Sequence, residues 1–324
     1  MSLGKSDHAP LVASEASATV ARLEAAGHTG DAAAWAELAT MYLRGDLLDR
    51  DLLRARLMLR RAVTIGHVDA ALLEIALTAN GSGGAPDWQA AVRLLQKAAG
   101  NDPLAAQHLD LLKRMAIDED GMPRTSATYH RLHSAPSIQR IPNFCTPEEA
   151  AHIASLVVHN LEPATVFDPT TGALVAHPIR NSDNAVIGPT QETLVVQAIN
   201  RRIAAVTETK VHHGEPLTIL RYAPGQQYKA HLDTLSNTAN QRVKTVLIYL
   251  NDGYSGGKTT FPLLPITVDA KAGDALVFGN VDSVGQPEPL SRHAGLPVER
   301  GTKWLATRWI RHHPIDPWKM GQQA

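Results

Sequence analysis

A single cysteine, Cys145, occurs in the whole chain of 324 residues. One thiol closes no intrachain disulfide and builds no thiolate-rich zinc site, so the expected address is a reducing cytoplasm. Aromatic residues are scarce at 5%, which argues against a base-stacking surface. The charges nearly cancel, to a formal net of -1, and leave no electrostatic case for a nucleic-acid partner. No apolar run approaches the ~20 residues needed to span a bilayer, so no membrane is expected. The opening "MSLGKSDHAPLVASEAS" lacks the apolar core of a secretory signal. What remains is a soluble globular chain, 44% hydrophobic and 19% charged, with length enough for two domains.

The two halves carry different periods. Residues 14–116 are rich in Ala and Leu at helical spacing, and segments echo one another. Glu37-Leu38-Ala39 returns as Glu74-Ile75-Ala76, Gly45 as Gly81, and Arg61-Ala62 as Lys97-Ala98. Such an offset belongs to stacked helix pairs. Gly45 and Gly66 read as helix ends. The stretch "LATMYLRGDLLDRDLLRARLMLRRAVTIGHVDA" resembles Sel1-like repeats, relatives of the tetratricopeptide family. Residues 117–135 mix Pro, Gly, Ser and charge as a linker does. A second domain is expected over 136–314, followed by a tail over 315–324. Within it, "TPEEAAHIASLVVHN" opens as a capped helix. "EPLTILRYA", "VKTVLIYLN", "DALVFGN" and "KWLATRWIR" read as strands separated by turn residues. Short strands in this rhythm predict an antiparallel jelly roll, and the fold class is therefore α+β in two domains.

One tripeptide, His-x-Asp, occurs three times, at His67, His108 and His231. Spacing alone cannot rank them, but backbone context can. His108 falls in a predicted helix, where residues two apart face opposite ways. His67 sits at a helix junction, with Asp69 the expected cap of the next helix. His231 and Asp233 follow a strand, where i and i+2 share a face about 6.6 Å apart. A third ligand on a later strand is needed, and His293 is the candidate. Two histidines and a carboxylate suit a non-haem Fe(II) centre, although zinc accepts the same donors. Lys303 follows ten residues later. A buried ammonium is costly unless paired, so it predicts an anionic ligand such as a dicarboxylate.

The ordered segments "RYAPGQQYKAHLDT", "RVKTVLIYLNDGYSGGKTTFP", "VDAKAGDALVFGN" and "SRHAGLPVERGTKWLATRWIR" resemble the catalytic domain of the prolyl 4-hydroxylase family of 2-oxoglutarate- and Fe(II)-dependent dioxygenases. The resemblance runs from about Pro142 to His312, and "IRNSDNAVI", with Arg180 and Ser182, is similar to an early strand of that family. It implies a double-stranded β-helix with flanking helices. It also implies Fe(II) held by His231, Asp233 and His293, 2-oxoglutarate and O2 as cosubstrates, and ascorbate as reductant. Lys303 would pair with the distal carboxylate of 2-oxoglutarate, and Tyr222 and Tyr249 would contribute to the cosubstrate pocket. Tyr228 and Trp309 are expected as packing or substrate-pocket residues. Thr234 and Lys258 depart from the family's usual aromatic and Glu, which bears on substrate preference rather than on catalysis. The resemblance implies hydroxylation of a prolyl residue in a peptide or protein, with the helical repeats as a recruiting surface. A small metabolite or free amino acid is the alternative substrate, and a non-catalytic metal-binding interaction module the alternative role. Cys145 is expected as a small buried hydrophobe, and His212-His213 and His312-His313 as surface pairs.

Overall fold

A computed structural model describes residues 8–167 and 174–320. The start of the N-terminal stretch and the last four residues of the expected tail lie outside the described residues. The chain divides into two units, residues 1–115 with 189–197, and residues 116–188 with 198–324.

The first unit is helical: α1 (His8–His28), α2 (Ala32–Arg44), α3 (Leu52–Ile65), α4 (Val68–Asn80), α5 (Trp88–Ala98) and α6 (Pro103–Arg114). Aspartates start four of these helices. Asp31, Asp51, Asp87 and Asp102 each accept a backbone N–H of the first turn, satisfying donors that have no helical partner. Gly45, Gly66 and Gly81 end helices in the left-handed region, which costs glycine nothing. The cap of α4 differs from expectation. His67, not Asp69, is the capping residue, its Nδ1 accepting from Ala70 N at 3.3 Å. The turn at Gly66 leaves His67 extended, so Asp69 already lies inside the first turn. The echoed positions Leu38, Ala39, Ile75 and Ala76 are all buried. The "RARLMLRR" segment makes a helix-to-helix contact through its arginines. Arg56 is buried and pairs with Glu74 of α4 at 2.9 Å, and Arg60 reaches the same carboxylate at 2.8 Å.

The second unit is mostly strand. In chain order come β1 (His130–His133), β2 (Ile138–Ile141), helix α7 (Pro147–Ser155), β3 (Glu162–Pro163), β4 (Thr165–Phe167), β5 (Leu174–Ala176) and β6 (Asp183–Ile187). Helix α8 (Leu194–Thr207) crosses the boundary between the two segments. Then follow β7 (Leu217–Tyr222), β8 (Tyr228–His231), β9 (Arg242–Tyr249), β10 (Ser255–Gly256), β11 (Thr259–Phe261) and β12 (Ile266–Val268). The chain closes with β13 (Ala275–Gly279), β14 (His293–Gly295), β15 (Val298–Arg300) and β16 (Lys303–Arg311). β1 lies inside the stretch expected as linker, because His130 pairs across to Arg140 of β2. Thr146 caps α7 in a reciprocal capping box with Glu149.

An eight-stranded sheet runs β1-β2-β13-β9-β16-β7-β6-β3, and a four-stranded sheet runs β12-β11-β14-β8. Their pairings are antiparallel. Alternation then decides the core. Leu220 and Tyr222, Leu247 and Tyr249, Leu276 and Phe278, and Leu305 come from the large sheet, and they meet Phe261 and Val268 of the small one. In each of the pairs Leu220/Tyr222, Leu247/Tyr249 and Leu276/Phe278 the two residues are i and i+2 on one strand, hence on the same face. Burying each such side chain contributes about 1.5–3 kcal/mol. The rings of Phe261 and Phe278 meet edge to face at 5.3 Å.

Candidate metal centre

His231 ends β8 and His293 begins β14, and the two are direct cross-strand partners. Residues 62 apart in sequence thus become neighbours, with ring centroids 4.3 Å apart. Asp233 lies beyond the end of β8, so the shared strand face expected for His231 and Asp233 is replaced by a strand end. The ladder stops at His231, and the chain then leaves the sheet toward the 234–241 loop. The carboxylate nonetheless returns to the histidines. His231 Nε2 lies 3.5 Å from Asp233 Oδ1, and His293 Nε2 lies 3.6 Å from Asp233 Oδ2.

The protons on the two rings follow from their other nitrogens. His231 Nδ1 faces Lys229 O at 2.8 Å, and His293 Nδ1 faces Ser291 O at 3.1 Å. A carbonyl only accepts, so each Nδ1 carries the proton and each Nε2 presents a lone pair. Burial pushes His293 down to about 4, which leaves its ring neutral at pH 7. Burial opposes ionisation of Asp233, while the Thr245 hydroxyl donates to its Oδ2 at 2.6 Å and favours the anion. Two lone pairs and an anion therefore converge in a buried space. Three acceptors facing one another repel unless a cation sits between them. Their ligand atoms all lie within 4.8 Å of one another, and two imidazoles with one carboxylate suit Fe(II).

The cavity around them is built by alternation on three strands. β16 contributes Lys303, Leu305, Thr307 and Trp309, β7 contributes Leu220 and Tyr222, and β9 contributes Leu247. Tyr228, Thr259 and Gly295 complete the wall with the three ligand candidates. Lys303 is 2% exposed, and burial draws its ammonium down to about 8. Its Nζ donates to Gly257 O at 2.6 Å, and no carboxylate pairs with it among the described residues. Tyr228 stacks on the His231 ring at 3.5 Å, with the Arg180 guanidinium 5.4 Å from the tyrosine ring. Ser182 is buried beside the start of β6. Arg242 covers the Trp309 ring at 3.8 Å and is itself held by both oxygens of Glu215 at 2.7 Å.

The structure does not bring every expected residue to the cavity. Tyr222 lines it, whereas Tyr249 is buried behind it and spends its hydroxyl on Thr259 Oγ1 at 2.8 Å. It reaches the site indirectly, through Thr259 and through its ring 5.3 Å from Lys303 Nζ. The two other His-x-Asp tripeptides stay apart from metal chemistry. His108 is buried in α6 while Asp110 faces out toward Arg114 at 3.1 Å. Cys145 is buried and its thiol is pushed up to about 12 by that burial, so it is inert packing. Sequence reasoning passed over Gly257, Thr259 and Thr245. The first two sit in the quoted "GGKTTFP" segment, where the glycine carbonyl rather than a side chain does the work.

A family model described as the 2OG-Fe(II) oxygenase superfamily matches residues 217–311. Prolyl 4-hydroxylase 1 of Arabidopsis thaliana is 35% identical over 196 residues, covering 55% of this chain and 69% of that protein. The chain belongs to the prolyl 4-hydroxylase family of 2-oxoglutarate- and Fe(II)-dependent dioxygenases. Prolyl 4-hydroxylase 2 of the same plant is 31% identical over 212 residues, covering 57% of this chain and 71% of its own. Among solved structures, a viral collagen prolyl hydroxylase from Paramecium Bursaria Chlorella virus-1, in its 2-oxoglutarate complex, is 28% identical. It covers 54% of this chain and 95% of its own, with a TM-score of 0.43. As a member of the prolyl 4-hydroxylase family, the protein is a 2-oxoglutarate-dependent dioxygenase that uses Fe(II) and O2. No helix among the described residues is long and apolar enough to cross a membrane.

Proposed function

We propose that the protein hydroxylates prolyl residues in a peptide or protein. The observation that carries the site assignment is the convergence of His231 Nε2, His293 Nε2 and the Asp233 carboxylate, beside a buried ammonium with no carboxylate partner among the described residues. His231, Asp233 and His293 hold the iron in this reading, and Lys303 pairs with the distal carboxylate of 2-oxoglutarate. Bound iron supplies the redox chemistry that couples conversion of 2-oxoglutarate and O2 to succinate and carbon dioxide with insertion of one oxygen atom into a C–H bond. The protein's own part is to place and shield. Leu220, Leu247 and Leu305 keep water from the cavity, which strengthens the Lys303 pairing. Tyr222 offers a buried phenol beside the ammonium, and Tyr249 holds Thr259 in the wall. Tyr228 and Trp309 give the cavity an aromatic side suited to an apolar ring such as that of proline.

The two facing sheets of the second unit form the double-stranded β-helix of this reading, with the run β13-β9-β16-β7 of the eight-stranded sheet as its principal face. The helices of the first unit are read as Sel1-like pairs that recruit the peptide, a role supported by the echoed buried positions at Leu38 and Ile75. A longer peptide should then show a lower KM than a short one at equal kcat. A chain with one buried cysteine needs no oxidising compartment, which supports a cytoplasmic location.

The test is succinate formation from 2-oxoglutarate with added Fe(II) and ascorbate, in the presence of proline-containing peptides, for wild type and His231→Ala. Peptide-stimulated succinate, with a peptide mass gain of one oxygen atom, is expected from wild type and not from the variant. Succinate that no proline peptide stimulates and no peptide oxidation would remove the prolyl substrate. Equal turnover by His231→Ala would remove the metal assignment.

A further inference from the structure

More than its place in the chain holds the Asp233 carboxylate. Thr245 Oγ1 donates to Asp233 Oδ2 at 2.6 Å, and Asn280 Nδ2 donates to the same Thr245 Oγ1 at 2.8 Å. Thr245 and Asn280 are both fully buried, at 0% exposure. The direction of this chain is forced. An ionised carboxylate only accepts, so the one hydroxyl proton goes to Asp233 and the hydroxyl lone pair takes the Asn280 N–H. Turning the Asn280 amide over would aim its carbonyl at the same hydroxyl, which has no second proton to give. In the forced orientation Asn280 Oδ1 has no hydrogen-bond partner among the described residues, a state that buried amides seldom adopt.

Sheet register assembles the chain. Thr245 pairs with Phe278 across β9 and β13, and Asn280 follows Phe278 by two residues on the same face. The asparagine backbone is pinned on both sides, its N–H donating to Val243 O at 2.9 Å and its carbonyl accepting from Glu288 N at 2.9 Å. The hydroxyl therefore approaches Oδ2 from a rigid strand. It stops the carboxylate from turning about its own axis, in the position where Oδ1 faces His231 and Oδ2 faces His293.

We infer that Asn280 and Thr245 form a directional relay that positions the Asp233 carboxylate for the metal, Thr245 acting on the carboxylate and Asn280 acting only through Thr245. This rests on Asp233 being a metal ligand, as proposed above. Both are positioning residues, since neither touches the reacting atoms. Partners of this kind change metal affinity or activity by roughly 10- to 100-fold.

The experiment measures Mn(II) binding to the full-length protein by titration without 2-oxoglutarate or peptide. The proteins are wild type, Thr245→Val, Thr245→Ser, Asn280→Ala and the Thr245→Val/Asn280→Ala pair. Valine keeps the shape and removes the hydroxyl, and serine keeps the hydroxyl. Thr245→Val is expected to raise the Mn(II) Kd on the order of 10-fold or more, Thr245→Ser to stay within about 3-fold of wild type, and Asn280→Ala to fall between them. In the double variant Asn280→Ala should add nothing to Thr245→Val. Wild-type affinity in Thr245→Val would overturn the relay, and so would a Thr245→Ser as weak as valine, or full additivity in the double variant. Should Thr245→Val not fold, Asn280→Ala decides alone, and unchanged Mn(II) affinity there overturns the inference. If wild type itself binds no Mn(II), the metal-site reading fails first and the relay falls with it.

Discussion

Replacing Lys303 with methionine exchanges ligand binding for stability, and the size of the exchange follows from burial. The ammonium is drawn from its ordinary 10.5 to about 8 by removal from water. That gap of about 2.5, at 1.36 kcal/mol per pKa unit, sets the cost of the charge in the ligand-free protein at roughly 3 kcal/mol. Methionine keeps an unbranched apolar stem and drops the charge. Against the gain stands the hydrogen bond to Gly257 O, whose loss leaves a buried carbonyl unpaired at about 1–3 kcal/mol. The variant should therefore be more stable than wild type by about 0–2 kcal/mol at pH 7. The pH dependence has a definite sign. Below pH 8 folded and unfolded chains both hold the proton, and the full penalty stands. Between 8 and 10.5 the unfolded chain binds a proton that the folded one has released, so wild-type stability rises with pH. The methionine variant, with nothing to titrate there, lacks that rise, and its advantage shrinks across the same window.

Urea unfolding of both proteins at pH 7 and at pH 10 reads these differences. A second readout is stabilisation by 2-oxoglutarate, which should raise the wild-type transition by mass action. Losing the partner of a buried carboxylate costs about 3–5 kcal/mol, so the variant should show no such rise at concentrations that saturate wild type. If the variant is less stable than wild type by the same margin at both pH values, burial of the ammonium is not the dominant effect. If 2-oxoglutarate stabilises both alike, Lys303 is not its partner.

Glu74→Ala strands the buried Arg56 guanidinium, whose remaining side-chain hydrogen bond among the described residues is to Thr78 at 2.6 Å. It should destabilise the helical unit by about 3–5 kcal/mol, seen as a lower urea midpoint, and a change below about 1 kcal/mol would mean that Arg56 finds water instead. Gly273→Ala forces a side chain onto a backbone at φ +85 and drives its Cβ into the Cys145 carbonyl. A loss of roughly 2 kcal/mol or more is expected from thermal unfolding, while an unchanged midpoint would show that the 142–146 segment shifts to make room.

The chemistry of the candidate site was more legible in sequence than its geometry. Three His-x-Asp tripeptides were separable because a helix rotates residues two apart to opposite sides, and His108 and Asp110 behave so. Strands could be read from short apolar runs between turn residues, and the alternation in "KWLATRWIR" puts Lys303, Leu305, Thr307 and Trp309 on one face as its period requires. The helix ends at Gly45 and Gly66 were equally plain, since few residues other than glycine accept the left-handed turn. Boundaries and caps were less so. Asp69 is the better capping residue by propensity, yet the chain leaves Gly66 in a turn that hands the position to His67. β1 hid in a polar stretch, because an edge strand with one paired side needs no apolar pattern.

What the sequence could not supply is register. Tyr249 and Tyr222 both point to the interior of the sheet, and a motif ranks them alike. Only the packing of the large sheet against β11 of the small one shows that the Tyr249 hydroxyl meets Thr259 in the cavity wall. Asp233 reads as a strand residue two positions after His231, but the ladder ends at that histidine. Its carboxylate is then fixed by a hydroxyl 12 residues later and an amide 35 residues beyond that. Threonine on a strand has an ordinary explanation in β-propensity, and a lone asparagine after a strand has one in turn chemistry. Each is unremarkable until β13 is laid against β9 in the register Thr245 to Phe278. A one-residue slip there would turn Asn280 to the opposite face and break the chain to Asp233. Candidate ligands of a metal can thus be read from residue type and spacing, whereas the groups that hold their side chains in place belong to the register of the sheet.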